Sequence, residues 1–198
     1  MKISLWGPFQ SGSVEGIANL LVTDTARLGD SSQDHVYILF NNGFGYFGEP
    51  IVLLAELYIQ PMSLTVGDFN NDNYIDFVVV NSNRNILVVM FQNKNGSFQK
   101  QIILSTGDFS NPSSVVTDDF NSDGQWDLAV SNSYAHNVGI FIGVRNGTFL
   151  SQITFPTNSQ SIPSAITSVD LNNDGQLDLI AIGNRLNAIH ILLNTCDC

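Results

Sequence analysis

A gapless repeat of 51 residues constrains this chain more than any other feature. Three ten-residue segments superpose: Asp68-Phe69-Asn70-Asn71-Asp72-Asn73-Tyr74-Ile75-Asp76-Phe77, Asp119-Phe120-Asn121-Ser122-Asp123-Gly124-Gln125-Trp126-Asp127-Leu128, and Asp170-Leu171-Asn172-Asn173-Asp174-Gly175-Gln176-Leu177-Asp178-Leu179. A proline stands seven residues ahead of each (Pro61, Pro112, Pro163), and an Asn-Gly-x-Phe turn recurs at Asn95–Phe98 and Asn146–Phe149. Such periodicity marks a repeat architecture, in which one supersecondary unit is too small to cover its own apolar faces and is stacked on copies of itself.

Within a repeat the apolar runs are short and bounded by turn residues, as strands are. In the third repeat they predict strands at Ser114–Thr117, Leu128–Ser131, Val138–Ile142 and Phe149–Phe155. Each repeat is then a four-stranded antiparallel unit of the size of a propeller blade. The predicted fold is an all-β propeller of about four blades, at 8–60, 61–111, 112–162 and 163–198. The first repeat is diverged. Pro8 is followed by Glu15, Asn19–Val22 aligns with Asp76–Val79, and Val36–Phe40 aligns with Leu87–Phe91, but the loop between the first two strands is shortened. The last repeat stops after its third strand, Ile189–Leu193. The spare apolar segment Lys2–Trp6 is expected to complete that blade and close the ring; an arc cut from a longer propeller is the alternative.

The superposed segments follow D-x-N-x-D-G-x-x-D, with oxygen-bearing side chains at positions 1, 3, 5 and 9 and a backbone carbonyl expected from position 7. Alternate residues of a tight coil point inward, which is how calcium loops gather six to eight hard oxygen ligands. The predicted ligands are Asp68, Asn70, Asp72, Tyr74 and Asp76; Asp119, Asn121, Asp123, Gln125 and Asp127; and Asp170, Asn172, Asp174, Gln176 and Asp178. Position 6 must turn sharply and is Asn73, Gly124 or Gly175, the residue types that tolerate a left-handed backbone. Apolar residues at positions 2 and 8 are expected to anchor each loop. An EF-hand would need Glu at position 12, where Val79, Val130 and Ala181 stand inside a strand. The competing reading is three Asx-rich turns. Against it, three carboxylates in nine residues repel one another unless a cation neutralises them. Three calcium sites are therefore expected, and none in the first repeat. Fifteen of the 18 acidic residues are Asp, and the nine in these loops carry most of the net charge of −11.

These residues resemble the FG-GAP/VCBS repeat, the blade of integrin-α-like propellers. The proline, the calcium loop, the apolar strand after it and the Asn-Gly-x-Phe turn carry the resemblance, strongly over 61–194 and weakly over 1–60. It implies calcium between strands one and two on one face, ligands on loops of the opposite face, and closure by an N-terminal strand. Integrin propellers have seven blades, so an integrin-type ligand site does not carry over to four.

On that opposite face the candidates are Asn81–Asn85 with Arg84, Asn132–Asn137 with Tyr134 and His136, Gly183–Asn187 with Arg185, and the enlarged Asp24–His35. An exposed aromatic among polar neighbours suits a protein or carbohydrate ligand. The three histidines stand apart from any Ser or Cys motif, and there is no G-x-S-x-G and no phosphate-binding Gly loop, so no catalytic constellation is visible. A polyanion repels phosphate, which excludes nucleic acid as the default partner. No apolar run much exceeds Ile86–Phe91, far short of the roughly 18–20 residues of a membrane span. Nor does Lys2–Trp6 have the length of a signal-peptide core, so any export signal lies outside this sequence. Cys196 and Cys198 have no second pair to complete a zinc site. Asn95 and Asn146 begin glycosylation sequons that also suit tight hairpin turns. The expected function is a non-enzymatic, calcium-stabilised extracellular adhesion or recognition module. The alternative is a secreted lectin or the propeller of a polysaccharide-degrading enzyme.

Overall fold

Apolar runs bounded by Asn, Gly and Pro form seventeen strands in a computed structural model that describes residues 2–6, 19–24, 34–56, 60–185 and 187–195. The first sheet is β1 (Lys2–Trp6), β2 (Asn19–Asp24), β3 (Asp34–Leu39) and β4 (Ile51–Glu56), hydrogen-bonded in that order. The second is β5 (Pro61–Gly67), β6 (Asp76–Asn81), β7 (Ile86–Gln92) and β8 (Phe98–Ser105). In the third, β9 (Pro112–Asp118), β10 (Asp127–Asn132), β11 (Asn137–Phe141) and β14 (Ile153–Pro156) are joined by a side hairpin of β12 (Gly143–Val144) and β13 (Thr148–Phe149). The fourth holds three strands, β15 (Pro163–Val169), β16 (Asp178–Gly183) and β17 (Ala188–Leu192). Each sheet is an antiparallel meander, and proline opens the inner strand of the last three, a position that asks for no N–H in the ladder.

Two strand expectations are corrected. Lys2–Trp6 pairs with Asn19–Asp24, from Lys2↔Thr23 to Trp6↔Asn19, and so is the first strand of the first blade and not the fourth of the last. Strands close in sequence pair preferentially because their connection is short. The alignment of Pro8 and Glu15, and with it the shortened loop, lies outside the described residues, whereas Asn19–Val22 and Val36–Phe40 fall on or beside the second and third strands as aligned. In the third blade Phe149 belongs to the side hairpin, paired with Gly143, and the outer strand starts only at Ile153. Between them the side chain of Gln152 lies directly over Gly139, where any Cβ would collide with it.

The core is a series of junctions between sheets. Successive residues of a strand point to opposite faces, and β6 uses both faces. Phe77 and Val79 pack with Leu21, Val36, Ile38, Leu64 and Val66 on the side of the first blade. Val78 and Val80 pack with Leu87, Val115, Leu128 and Val130 on the side of the third. One repeat later, Ala129 and Val138 meet Ile166, Leu179 and Ala181 of the fourth. Every residue of β6 and β10 is buried. Hydrogen bonds tie the inner strands across the junctions: Val115 N–H donates to Ser63 Oγ (3.4 Å), the Ser113 and Ser133 hydroxyls to the Pro163 carbonyl (3.2 and 2.6 Å), and Ser168 Oγ to Asp118 Oδ2 (2.8 Å).

On the far side of the fourth sheet, Ile182, Ile189 and Ile191 are 49%, 68% and 57% exposed, although Val80, Leu87 and Val89 at the same repeat positions are fully buried. The same residue type at the same register should therefore contribute differently to stability. Leu87→Ala is expected to cost about 2–5 kcal/mol in chemical denaturation, and Ile189→Ala, at the equivalent position, less than about 1 kcal/mol. Equal losses would contradict this assignment of junctions.

Candidate metal centres

Each D-x-N-x-D-G-x-x-D loop leaves the inner strand of its blade and re-enters at the second: 68–76 joins β5 to β6, 119–127 joins β9 to β10, and 170–178 joins β15 to β16. The side chains fold over the coil identically in all three. The carboxylate of position 1 accepts from the N–H groups of positions 5 and 6: Asp68 from Asp72 (3.0 Å) and Asn73 (2.8 Å), Asp119 from Asp123 (3.1 Å) and Gly124 (2.8 Å), Asp170 from Asp174 (3.3 Å) and Gly175 (3.0 Å). The Oδ1 of Asn70, Asn121 and Asn172 accepts from the N–H of position 5, and the amide group donates to that residue's Oδ2. Asp72, Asp123 and Asp174 in turn accept from the N–H of Tyr74, Gln125 and Gln176, each at 2.8 Å. Position 6 is left-handed as expected (φ 66°, 78° and 85°). Position 4 is left-handed too, at Asn71, Ser122 and Asn173 (φ 58–59°), a second turn point that the sequence reading missed because Ser masks it.

The ninth-position carboxylates are the buried members. Asp76, Asp127 and Asp178 are fully buried and begin the second strand. One oxygen accepts from the N–H of position 2 and the other from the chain leaving the third strand: Phe69 and Gln92 for Asp76 (3.0 and 2.9 Å), Phe120 and Gly143 for Asp127 (2.9 and 2.7 Å), Leu171 and Asn194 for Asp178 (3.0 and 2.7 Å). Burial pushes the Asp76 carboxyl up to about 7 and that of Asp127 up to about 6, against the opposing pull of these N–H donors. The charges acting on them are carboxylates of their own loops, Asp72 and Asp68, Asp123 and Asp119, and each raises the value further.

All side chains at positions 1, 3, 5 and 9 offer hard oxygen, the donor type calcium takes. A carboxylate has about four lone-pair sites, so two N–H bonds leave it able to ligate. Among the described residues, no three Asp, Glu, His or Cys side chains stand in a ready-made coordination group, and the loop oxygens are engaged by N–H groups instead. Adjacent loops are linked: Asn71 Nδ2 donates to Gln125 Oε1 (2.6 Å), and Ser122 Oγ to Gln176 Oε1 (3.1 Å). Of the predicted anchors, Phe69 and Phe120 are buried and Ile75 and Leu177 half-buried. Trp126 (38% exposed) and Leu171 (42%) are not covered.

On the other face, the 132–137 turn is bonded to the connection between blades, with Ser133 N–H donating to Asn111 O (3.1 Å) and Tyr134 N–H to Ser110 O (3.0 Å). Tyr134 is 65% exposed. In the same connection Phe109 is 86% exposed and left-handed (φ 56°). The sequence reading did not single it out, though an aromatic where the next repeat has Gln160 was a visible signal. Arg84 and Arg185 are exposed on the equivalent turns, and the His136 carbonyl accepts from the N–H and hydroxyl of Thr157. His35 stacks on Tyr37 (5.2 Å), residues 25–33 and both cysteines lie outside the described set, and Asp24 is exposed. Asn95 and Asn146 are exposed in tight Asn-Gly turns, their Oδ1 atoms accepting from the hydroxyls of Ser97 (2.7 Å) and Thr148 (2.6 Å). No described helix is long and apolar enough to cross a membrane.

The model of the FG-GAP-like repeat matches residues 68–130 and 119–181, each match running from one loop into the strand beyond the next. Among solved structures, the crystal structure of a protein from Lactobacillus plantarum, a structural-genomics target, superposes with a TM-score of 0.53 at 12% identity. It covers 91% of this chain and 54% of the other, so this chain spans about half the length of that protein. At that identity the likeness concerns the fold alone. No curated protein sequence matches. The two repeat matches together span more than half of the chain and fall on the loops and strands just described, so the chain belongs to the FG-GAP-like repeat family and has a β-propeller fold.

Proposed function

We propose that the chain is a non-enzymatic, calcium-binding propeller module that serves extracellular adhesion or recognition, with three structural ions held by the 68–76, 119–127 and 170–178 loops. The observation that carries this reading is the same nine-residue coil built three times, each holding three carboxylates, one of them fully buried. Asp68, Asn70, Asp72 and Asp76, with the Tyr74 carbonyl, would hold one ion. Asp119, Asn121, Asp123, Asp127 and the Gln125 carbonyl would hold the second, and Asp170, Asn172, Asp174, Asp178 and the Gln176 carbonyl the third. Extracellular modules of this kind fill at about 10⁻⁴–10⁻³ M calcium, which suits a protein working outside cells. Three copies of one site favour a structural role over catalysis, since a reaction needs one.

An ion bound only by the folded state stabilises it by mass action. Millimolar calcium is expected to raise the melting temperature well above that in chelator, and an unchanged melting temperature would refute the proposal. Asp123→Ala should remove part of the shift, whereas Asp24→Ala, at an exposed position outside the loops, should leave it intact.

The buried carboxyls make a further measurement informative. Without calcium, Asp76 and Asp127 ionise near 7 and 6 in the folded state but near 3.8 when unfolded. The folded state then binds more protons across this window, so stability falls as pH rises from about 4 to 7. Bound calcium favours the ionised form and should flatten or reverse the slope in thermal melts. A calcium-free protein that gains stability over that range would show that burial does not dominate at these carboxyls.

A second reading rests on the exposed aromatics Tyr134 and Phe109 of the opposite face. Aromatic rings among polar loops suit sugar stacking, which fits a lectin or the propeller of a polysaccharide-degrading enzyme. It predicts glycan-array binding lost in Tyr134→Ala with melting unchanged; no binding on a broad panel leaves adhesion ahead.

A further inference from the structure

The turn that follows the third strand is built the same way in the first three blades, yet only two of them carry a glycosylation sequon. Gly45, Gly96 and Gly147 stand at equivalent repeat positions, and all are left-handed (φ 83°, 80° and 81°). The same backbone bond closes the first two turns: Asn42 N–H donates to Tyr46 O (3.0 Å), and Asn93 N–H to Ser97 O (2.7 Å). In the third turn the equivalent residues, Val144 and Thr148, are paired. The glycine is flanked by Phe44 and Tyr46 in the first blade, by Asn95 and Ser97 in the second, and by Asn146 and Thr148 in the third. A turn that closes on Phe-Gly-Tyr needs the glycine, but neither an asparagine before it nor a hydroxyl after it. Asn-Gly-Ser and Asn-Gly-Thr are therefore surplus to the hairpin, and their side chains ask for another explanation.

Both asparagines are exposed, and each is oriented by the residue two positions on. Asn95 Oδ1 accepts from the N–H and hydroxyl of Ser97 (3.0 and 2.7 Å), and Asn146 Oδ1 from those of Thr148 (3.1 and 2.6 Å). Among the described residues no hydrogen bond engages the Nδ2 of either one, so the side-chain carbonyl is fixed on the turn and the amide nitrogen is left to solvent. Gly147 itself is buried, and a Cβ there would meet the Phe91 ring and Asn70. The third turn is thus wedged against the second blade beside its 68–76 loop, while Asn146 stays exposed.

We propose that Asn95 and Asn146 are attachment sites for N-linked glycans. Nδ2 forms a bond to the anomeric carbon of an oligosaccharide carried on a lipid diphosphate. The bond from that carbon to the phosphate oxygen breaks, the lipid diphosphate leaves with the electron pair, and the amide gives up one proton to a base. The inference rests on the extracellular part of the function proposed above, since such donors are met on the secretory route. Both glycans stand at the end of the blades that carries the acidic loops, because the first and third connections of an antiparallel meander leave the same end. They leave clear the Tyr134 turn and the Phe109 connection at the other end. A bulky, hydrophilic glycan on Asn146 also covers Val144 and Leu150, exposed apolar side chains of the same hairpin.

The test is to make the full chain in animal cells behind a cleavable signal peptide, reading medium and cell lysate together so that retention hides nothing. Peptide N-glycosidase is expected to lower the apparent mass in two steps. In heavy-oxygen water, mass spectrometry should find Asn95 and Asn146 converted to labelled aspartate. Asn95→Gln and Asn146→Gln should each remove one step, and Ser97→Ala and Thr148→Ala should remove the same steps with the asparagines intact. A chain that the glycosidase leaves unmoved overturns the proposal, and a single step in the parent chain overturns it for the unmodified asparagine. A step that survives loss of its hydroxyl overturns the sequon as its cause. Because the signal is supplied, this outcome does not depend on where the native chain resides. Calcium-dependent melting and native location test the function proposed above, and glycan occupancy tests this inference alone.

Discussion

The second strand of a blade is apolar on both faces, and the rest of the structure depends on that constraint. A strand such as Asp76–Asn81 presents Phe77 and Val79 to one side and Val78 and Val80 to the other, and all are buried. No single antiparallel sheet can cover both sides of itself, so the sequence requires stacking. Stacking with a fixed 51-residue register brings the same loop to the same end of the second, third and fourth blades. The repetition of the acidic loops is thus a consequence of the packing as much as of the loops themselves.

The ninth-position aspartate joins the two. It is the first residue of that buried strand and also the last residue of the loop, and its two oxygens hold the loop's second residue and the end of the third strand. A buried carboxylate with only N–H partners is unfavourable as a charge. The fold keeps it because it ties three segments, and a cation against its remaining lone pairs would turn the liability into a stabilising contact.

Much of this was legible beforehand because repeats supply their own controls. Three aligned copies separated the loop's fixed positions from its variable ones, and the left-handed site at position 6 followed from finding only Gly and Asn there. The same comparison hid position 4, where Ser122 sits at φ 59° and side-chain chemistry gives no warning. The residues before the three prolines, Gln60, Asn111 and Ile162, are left-handed as well (φ 46–48°), and nothing in Ile162 announces it. Pairing of the terminal strand was misread because apolar pattern alone does not choose between two available edges. In the first sheet, β2 was the nearer one. Phe109 escaped notice because it lies outside the repeated motif, which is where a ligand-specific residue would be found.

The charge distribution follows from the same geometry. Nine of the fifteen aspartates lie in loops at one end of the blades, while Tyr134, Arg84 and Arg185 lie on the turns at the other. The loops also touch one another, Asn71 to Gln125 and Ser122 to Gln176, so the position-7 residues of the third and fourth blades are each held partly by the blade before. Ordering one coil therefore restrains the backbone of the next, and the repulsion of each carboxylate cluster is felt at the junction as well as within its own loop. The acidic end acts as one connected belt across the second, third and fourth blades. The turns at the opposite end lie outside that belt and can vary in sequence from blade to blade without disturbing it.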